Sequence, residues 1–253
     1  MPFTFSHPAL IIPLLRVRPR YRWFSATGLV AGSVAPDFEK FFKLHLASGY
    51  SHTLASIFYF SLPVSLALAF LFHQIVRRPL LAHLPGGLRR RLGQYAGFDW
   101  PRHFRRHYKG VLLSMVLGAA GHLFWDLFTH PSVLLKTLLP MMETTVPVGS
   151  RRVSLYKVSG VVNSVLGGLA IVWATWRLPA HPGAESRPRA WWAYWGLAAL
   201  VAGALLALWA QLAVISWLSL GITAISAGMV GVVVASVCFR LGATPPPLGR
   251  ERA

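Results

Sequence analysis

Two histidines and an aspartate follow one another at intervals of four residues, as His122, Asp126 and His130. On a helix, side chains four residues apart project from the same face, and the third stays within about 80° of the first. The segment around them, from Val111 to Phe128, is otherwise apolar. Imidazole and carboxylate groups on one face can bind a divalent metal ion, relay protons or lock two helices together. The spacing alone leaves these three roles open.

The composition indicates that these groups belong to a membrane protein. Apolar residues make up 55% of the 253 positions, charged residues only 13%, and the mean hydropathy is +0.52. The net charge of +18 comes largely from arginines in short stretches between apolar runs, which is typical of cytoplasmic membrane-protein loops. A nucleic-acid-binding module would interleave basic, polar and aromatic residues. We therefore expect membrane lipid as a partner and no nucleic acid.

Long apolar segments predict an all-α fold: a polytopic bundle of five long spanning helices plus a short N-terminal helical hairpin or sixth span. One spanning helix needs about 20 apolar residues. The short segment runs from Trp23 to about Asp37. The long spans are predicted at Thr53 to Phe72, Val111 to Phe128, Leu155 to Trp176, and twice within Ala190 to Phe239, with a break near Ser216 to Leu220.

Basic loops set the predicted orientation. The stretch from Arg77 to Lys109 is the richest in arginine and is placed in the cytoplasm. Successive spans cross the membrane in opposite directions, so the loops alternate between its two sides. This places the C-terminus in the cytoplasm and the loops Glu39 to Ser51 and Thr129 to Ser154 outside. We predict a motif-bearing membrane domain over residues 1–180, two further spans of the same bundle over 181–240, and a disordered tail over 241–253.

The same alternation brings several ionisable side chains to the outer membrane level. An ionised carboxylate at membrane depth costs a few kcal/mol, so Asp126 requires a cation, a metal ion or water beside it. His7 joins this level if the apolar run from Ala9 to Leu15 re-enters from outside, whereas it is cytoplasmic if that run lies flat on the inner surface. Nitrogen and oxygen ligands of this kind suit zinc, and also manganese or iron. The predicted metal ligands are His7, Asp37, His52, His122, Asp126 and His130.

Two more side chains on the outer side are predicted to take part in catalysis. Glu39 is a candidate general base or a partner of a metal ligand. Lys157, at the outer end of its span, is placed to neutralise Asp126 or to hold an anionic substrate group, unless it only extends to the membrane surface. The single cysteine, Cys238, excludes a disulfide framework and a cysteine metal cluster.

Four sequence motifs resemble those of a bacterial membrane family known as domain of unknown function 4184. They are Met-Pro-Phe-Thr-Phe-Ser-His-Pro-Ala at the N-terminus, Gly-Ser-Val-Ala-Pro-Asp-Phe ending at Phe38, Ser-His-Thr at 51–53, and Gly-His-Leu-Phe-Trp-Asp-Leu-Phe-Thr-His at 121–130. The resemblance implies a multi-pass protein of the bacterial inner membrane and names no substrate.

A weaker similarity is to membrane-bound metal-dependent hydrolases related to zinc phospholipase C. Their pattern is an N-terminal His, a Pro-Asp, a Thr-His-Ser and a Ser-His-x-x-x-Asp. The chain departs from it with Ser-His-Thr in the middle motif and with Glu39 where a second aspartate stands. The residues that fall on the pattern are His7, Asp37, His52, His122 and Asp126.

Together these observations lead to two hypotheses of function. The first is a membrane-embedded metal-dependent hydrolase, with zinc or another divalent ion, that acts on an anionic or lipid-like ester or phosphoester. The alternative is a non-enzymatic carrier or scaffold in which His122 and Asp126 relay protons or pack helices.

The predicted orientation is testable by cysteine labelling in a Cys238→Ser background. We expect the His45→Cys variant to react with a membrane-impermeant thiol reagent added outside intact cells, because position 45 lies in a predicted outer loop. The Tyr95→Cys variant, in the predicted cytoplasmic loop, should react only after the membrane is permeabilised. The reverse labelling pattern would contradict the orientation.

Overall fold

The computed structural model describes residues 3–17, 23–45, 49–130, 137–181, 190–212 and 216–241. The chain is largely helical, as predicted. It divides into a first unit, residues 1–70 and 99–179, and a second unit, residues 71–98 and 180–253. The predicted boundary at residue 180 between a motif-bearing domain and two further spans stays a prediction. Most of the predicted disordered tail, residues 242–253, lies outside the described residues.

The first unit begins with short helical elements that carry two of the predicted ligands. A 3-10 helix (Thr4–Ile11) continues into α1 (Ile12–Val17). After α2 (Ala26–Val34), a 3-10 turn (Ala35–Asp37) leads directly into α3 (Phe38–Lys43). The Ser25 hydroxyl begins α2 by accepting a hydrogen bond from the Gly28 N–H, 3.1 Å away.

Longer elements complete the first unit. Helix α4 (Ile57–Ala82) starts here and continues into the second unit. Helix α6 (Trp100–Asp126) is capped by Asp99, which accepts a hydrogen bond from the Arg102 N–H. An antiparallel hairpin of β1 (Thr145–Val148) and β2 (Arg151–Ser154) precedes α7 (Leu155–Trp176). The hairpin turns at Gly149, whose φ of 59° is a backbone conformation that glycine tolerates best.

The tightest packing in the first unit is between α2 and α6, where glycines leave no room for a side chain. A Cβ on Gly28 would lie 2.7 Å from the Val111 carbonyl oxygen, and one on Gly32 would overlap the Met115 backbone. On α6, a Cβ on Gly118 would overlap the Leu29 carbonyl oxygen. The two backbones therefore lie in direct contact. Val111 and Met115 of α6 also belong to a buried apolar cluster with Ala69 and Trp100.

The second unit contains the end of α4, α5 (Gly86–Leu92), α8 (Trp191–Leu212) and α9 (Trp217–Leu241). Helices α8 and α9 pack closely, since Gly231 of α9 lies against the Ala198 backbone and the Tyr194 and Ser236 hydroxyls are 3.0 Å apart. None of the predicted ligand or catalytic residues belongs to this unit.

Four helices in the described part of the chain are long and apolar enough to cross a membrane, namely α4, α7, α8 and Trp217–Arg240 of α9. The predicted count of five or six spans is not confirmed. Helix α9 begins at Trp217, inside the break predicted at Ser216 to Leu220, and the Ser216 hydroxyl accepts a hydrogen bond from the Ser219 N–H at its start. Helix α4 also begins later than the predicted Thr53 and continues to Ala82.

Two predicted spans are shorter than expected. The apolar part of α6 begins at Val111, after a basic first half, and ends at Asp126, which gives about 24 Å at 1.5 Å per residue. The segment from Trp23 to Asp37 contains only the nine residues of α2 and one 3-10 turn, or less than about 20 Å. Both lengths fall short of the roughly 30 Å of a hydrocarbon core.

The α2–α6 contact yields a stability prediction. We expect Gly32→Ala to lower the free energy of unfolding by about 1–3 kcal/mol, because the added methyl group meets backbone atoms that cannot rotate away. The matched control is Gly168→Ala in α7, where a Cβ meets no atom within 4 Å and helix propensity favours alanine. Thermal unfolding in mild detergent compares the two, and equal melting temperatures would contradict the inferred contact.

Candidate metal centre

Four of the predicted ligands converge in the first unit. Asp37 ends the 3-10 turn after α2, His52 lies in the loop before α4, and His122 and Asp126 are one turn apart on α6. One nitrogen or oxygen atom from each residue lies within 4.8 Å of the corresponding atoms of the other three. The i, i+4 spacing on α6 thus forms half of the cluster, and two segments from earlier in the chain supply the other half.

The two imidazole nitrogens lie at similar distances from the two carboxylate oxygens. His52 Nε2 lies 3.3 Å from Asp37 Oδ1 and 3.4 Å from Asp126 Oδ2. His122 Nε2 lies 3.5 Å from the same Asp37 oxygen and 3.3 Å from the same Asp126 oxygen. Each imidazole nitrogen therefore faces both carboxylates.

A hydrogen bond to the backbone sets the tautomer of His122. Its Nδ1 lies 2.7 Å from the Ser33 carbonyl oxygen, and a carbonyl oxygen can only accept. Nδ1 therefore carries the proton, and in the neutral ring the Nε2 lone pair points at the two carboxylates. This is the usual arrangement of metal-binding histidines, in which the second ring nitrogen is held by a backbone or carboxylate oxygen.

The second oxygen of Asp126 contacts two further histidines. Oδ1 lies 3.2 Å from His7 Nε2 and 3.4 Å from His130 Nδ1. His7 Nδ1 donates to the Thr4 carbonyl oxygen, and its ring stacks on that of His122 at a centroid distance of 3.8 Å. The structure thus places His7 and His130 at the cluster edge, around the Asp126 oxygen opposite the four-atom group. His7 therefore lies on the same side as the other predicted ligands, and which side of the membrane that is stays a prediction.

Asp37 has two polar partners that the sequence analysis missed. The Thr4 hydroxyl donates to Oδ2 at 2.5 Å, and Lys40 Nζ lies 2.5 Å from Oδ1. Lys40 is only 5% exposed. Its position three residues after Asp37, across the junction of the 3-10 turn and α3, was the signal that could have identified it.

The cluster is buried but has one accessible side. The side chains of Asp37 and His122 are 1% and 0% exposed, whereas those of His52 and His130 are 17% and 24% exposed. In the described part of the chain, His52 Nε2, His122 Nε2 and Asp126 Oδ2 make no hydrogen bond. Buried polar atoms without a partner are energetically unfavourable, so these atoms favour a ligand between them.

Glu39 supports the loop that carries His52. Its Oε1 accepts hydrogen bonds from Lys43 Nζ at 2.6 Å and the Gly49 N–H at 3.2 Å, and Oε2 accepts one from the Ser51 N–H at 3.1 Å. Burial raises the pKa of Glu39, but these hydrogen bonds outweigh it and lower the pKa to about 2. Glu39 is therefore ionised at neutral pH, and the adjacent Ser51 hydroxyl lies 2.8 Å from His52 Nδ1.

Lys157 lies in a different environment from the one predicted. It is exposed, and its Nζ lies over the Tyr156 ring, 6.0 Å from the ring centroid. Beside the carboxylates the structure places Lys40 instead. The catalytic roles predicted for Glu39 and Lys157 stay predictions.

The donor set fits a divalent metal ion. Ligands about 2.0–2.1 Å from a tetrahedral ion are about 3.3–3.4 Å from one another, close to the four distances between the imidazole nitrogens and carboxylate oxygens. Two imidazoles and two carboxylates suit zinc, manganese or iron(II). Asp37, His52, His122 and Asp126 could hold such an ion.

Loss of the Glu39 carboxylate should loosen the loop before α4. In Glu39→Gln, we expect the Gly49 and Ser51 amides to exchange with deuterium about tenfold faster or more, because hydrogen bonds to an ionised acceptor become hydrogen bonds to a neutral one. Glu143→Gln, at an exposed acid in the 3-10 turn Pro140–Glu143, is the control. Unchanged exchange at both amides in Glu39→Gln would contradict the supporting role.

Comparison with known sequences identifies the family but no characterised relative. No curated protein and no solved structure matches the chain. The predicted similarity to phospholipase-related hydrolases therefore stays a prediction, as do the bacterial inner membrane and the cytoplasmic C-terminus. The model of one family, described as domain of unknown function DUF4184, matches residues 1–237. The chain therefore belongs to the DUF4184 family.

Proposed function

We propose that Asp37, His52, His122 and Asp126 bind one divalent metal ion, and that the protein uses it to hydrolyse an ester or phosphoester. The observation that carries this proposal is the meeting of two imidazole nitrogens and two carboxylate oxygens, whose four nitrogen–oxygen distances are 3.3 to 3.5 Å. All four atoms lie within 4.8 Å of one another, which is compact enough for one ion to contact them all. Zinc matches the donor set best, and manganese or iron would also be accepted.

The charges in the cluster support a cation. Asp37 and Asp126 are two buried carboxylates whose oxygens share the same two imidazole neighbours. Two negative charges this close together are strongly unfavourable in a poorly solvated site. Lys40 supplies one positive charge beside Asp37, and a divalent ion bound between the oxygens would offset the remaining negative charge and accept the lone pair of His122 Nε2.

Partial exposure on one side favours catalysis over a purely structural ion. The side chains of His52 and His130 reach solvent, so water and a substrate can approach past them. A bound divalent ion lowers the pKa of a coordinated water towards neutrality and so supplies a nucleophile. In hydrolysis, the water oxygen bonds to the carbonyl carbon or phosphorus while the ester bond to the leaving oxygen breaks. One proton of the water goes to the leaving oxygen, which departs as an alcohol. The other proton stays on the carboxylic or phosphoric acid product or dissociates from it.

The surrounding residues position the ligands. His7 and His130 contact the second oxygen of Asp126, and Thr4 contacts the second oxygen of Asp37. Glu39 holds the loop of His52 through the Ser51 N–H. Contacts of this kind fix the orientation of metal ligands, and their loss typically lowers metal affinity by about 10- to 100-fold.

A lipid-derived substrate is consistent with the position of the cluster. The 3-10 helix that carries His7 packs on α7, one of the four helices suited to crossing a membrane, and the Ser6 hydroxyl donates to the Ser164 carbonyl oxygen at 2.8 Å. The cluster thus lies close to a lipid-facing helix, where an ester at the membrane surface would be within reach.

A second candidate function is a non-enzymatic helix-packing or proton-relay network. It is favoured by the Lys40 ammonium, which already pairs with Asp37, and by the histidines around Asp126, which could carry protons in place of a metal ion. The two candidates differ in metal content, because the network requires no ion.

Metal content therefore tests the proposal. We expect the wild-type protein, purified in mild detergent without chelator, to contain one zinc, manganese or iron ion per chain by mass spectrometry of the metals. Asp126→Asn keeps the shape of the side chain but removes the charge and a ligand oxygen. It should lower metal affinity by about tenfold or more.

The matched control is Asp99→Asn, the same substitution at the cap of the same helix. It should leave both stability and metal content close to those of wild type, because asparagine caps a helix about as well as aspartate. The metal proposal is wrong if wild-type protein contains no stoichiometric ion, takes up none on addition of zinc, manganese or iron(II), and responds alike to both substitutions.

A further inference from the structure

The proposed hydrolysis gives no role to Lys40, the buried lysine beside the cluster. Lysine is almost never buried without a partner, and the partner of Lys40 is the Asp37 oxygen that also faces His52 and His122. The ammonium group thus adjoins the atoms proposed to hold the metal ion.

We propose that the site selects a phosphoryl group, with the metal ion and the Lys40 ammonium as the two positive groups that bind its oxygens. The inference rests on the proposed metal-dependent hydrolysis and narrows its substrate from esters in general to phosphoesters. Lys40, on this proposal, is a specificity-determining residue that contacts the substrate.

The charge balance of the cluster supports a negatively charged substrate. Asp37 and Asp126 contribute two negative charges, a divalent ion contributes two positive charges, and Lys40 adds one more. The loaded site therefore has an excess of one positive charge even when every histidine is neutral. In a poorly solvated cluster an excess charge is unfavourable and is relieved by an anion. A neutral carboxylic ester supplies no such charge, whereas a phosphoester does.

The number of hydrogen-bond donors on Lys40 also allows more than one acceptor. An ammonium group has three donors, so it can hold the Asp37 oxygen and a phosphoryl oxygen together. The Thr4 hydroxyl on the opposite oxygen of Asp37 keeps this carboxylate in place. A phosphoryl group that enters past His52 and His130 would then lie between the metal ion and the ammonium.

The test measures binding of inorganic phosphate to the full-length, zinc-loaded protein in mild detergent by isothermal titration calorimetry. We expect wild-type protein to bind phosphate and to lose this binding when a chelator removes the zinc. Lys40→Met should retain zinc and bind phosphate about tenfold more weakly or worse, because a charge-assisted hydrogen bond is lost. Lys109→Met, the same substitution at an exposed lysine of α6, should bind phosphate as wild type does.

Lys157 provides a second comparison, because it is the other lysine predicted to hold an anionic group. Lys157→Met should not weaken phosphate binding if Lys40 is the contact. Loss of binding in Lys157→Met with normal binding in Lys40→Met would overturn the assignment. Phosphate affinity in Lys40→Met equal to that of wild type would do so as well.

Competition identifies the source of the phosphoryl group. Phosphatidic acid in phosphatidylcholine vesicles and water-soluble glycerol 3-phosphate are each added to compete with phosphate. Displacement by the vesicles alone supports a lipid headgroup, and displacement by glycerol 3-phosphate supports a soluble phosphoester. Displacement by neither would show that phosphate binds only as an adventitious ion and would overturn the proposal.

These outcomes separate the inference from the proposed function. A wild-type protein that binds no zinc refutes the metal site itself. A protein that binds zinc but no phosphate retains the metal site and refutes only the phosphoryl selectivity. The wild-type measurements require no variant, so the substrate class stays testable even if Lys40→Met does not fold.

Discussion

Direct contact between the backbones of α2 and α6 sets the geometry on which the cluster depends. Glycines at positions 28, 32 and 118 remove the side chains that would hold the helices apart. At this distance the Ser33 carbonyl oxygen reaches Nδ1 of His122, and the chain then turns so that Asp37 faces the same ring. A wider helix pair would lose both the backbone hydrogen bond and the carboxylate. One packing contact therefore fixes the tautomer of His122 and the position of its partner.

The second constraint is the burial of two carboxylates side by side. Taking one ion out of water costs several kcal/mol even after the protein relaxes, and removing one partner of a buried pair typically destabilises by about 3–5 kcal/mol. Asp126 meets this constraint with imidazoles on both of its oxygens, and Asp37 meets it with Thr4 and Lys40. The arrangement balances charge only if protons or a cation lie among the nitrogens and oxygens. A divalent ion supplies positive charge with four ligands already in place and, together with Lys40, leaves one positive charge in excess. Without a metal ion, one protonated histidine beside Lys40 would balance the two carboxylates.

The sequence was informative where a local pattern carried the information. The spacing of His122 and Asp126 predicted a shared helix face, and the long apolar runs α7, α8 and α9 were found close to their observed positions. Span length was harder to predict, because the apolar pattern from Val111 onwards does not reveal that its helix continues back through a basic half and ends at Asp126. The β-hairpin was missed because its strands are only four residues long.

Contacts between distant segments could not be predicted from such patterns. The pairing of Lys40 with Asp37 depends on a 3-10 turn at the end of α2, and the hydrogen bonds of Glu39 depend on the path of the loop to Ser51. The prediction for Lys157 relied on membrane level alone, which is too coarse to distinguish a side chain in the cluster from one over a neighbouring ring. The predicted histidines do contact Asp37 and Asp126, but these contacts say nothing about the membrane level from which the grouping was inferred.

Helix α7 has two unlike faces, one against the segment that carries His7 and one that is apolar and exposed. Small residues, Gly160, Ser164 and Gly167, recur at intervals of four and three, and the last two contact the N-terminal segment that carries His7. A Cβ on Gly167 would lie 2.9 Å from Ser6, so this segment rests directly on the helix. Large apolar side chains such as Val161 and Leu169 are exposed elsewhere on α7, as expected of a surface in contact with lipid. The helix that supports His7 therefore also carries an exposed apolar face of the kind that contacts lipid, which agrees with the lipid-derived substrate that we propose.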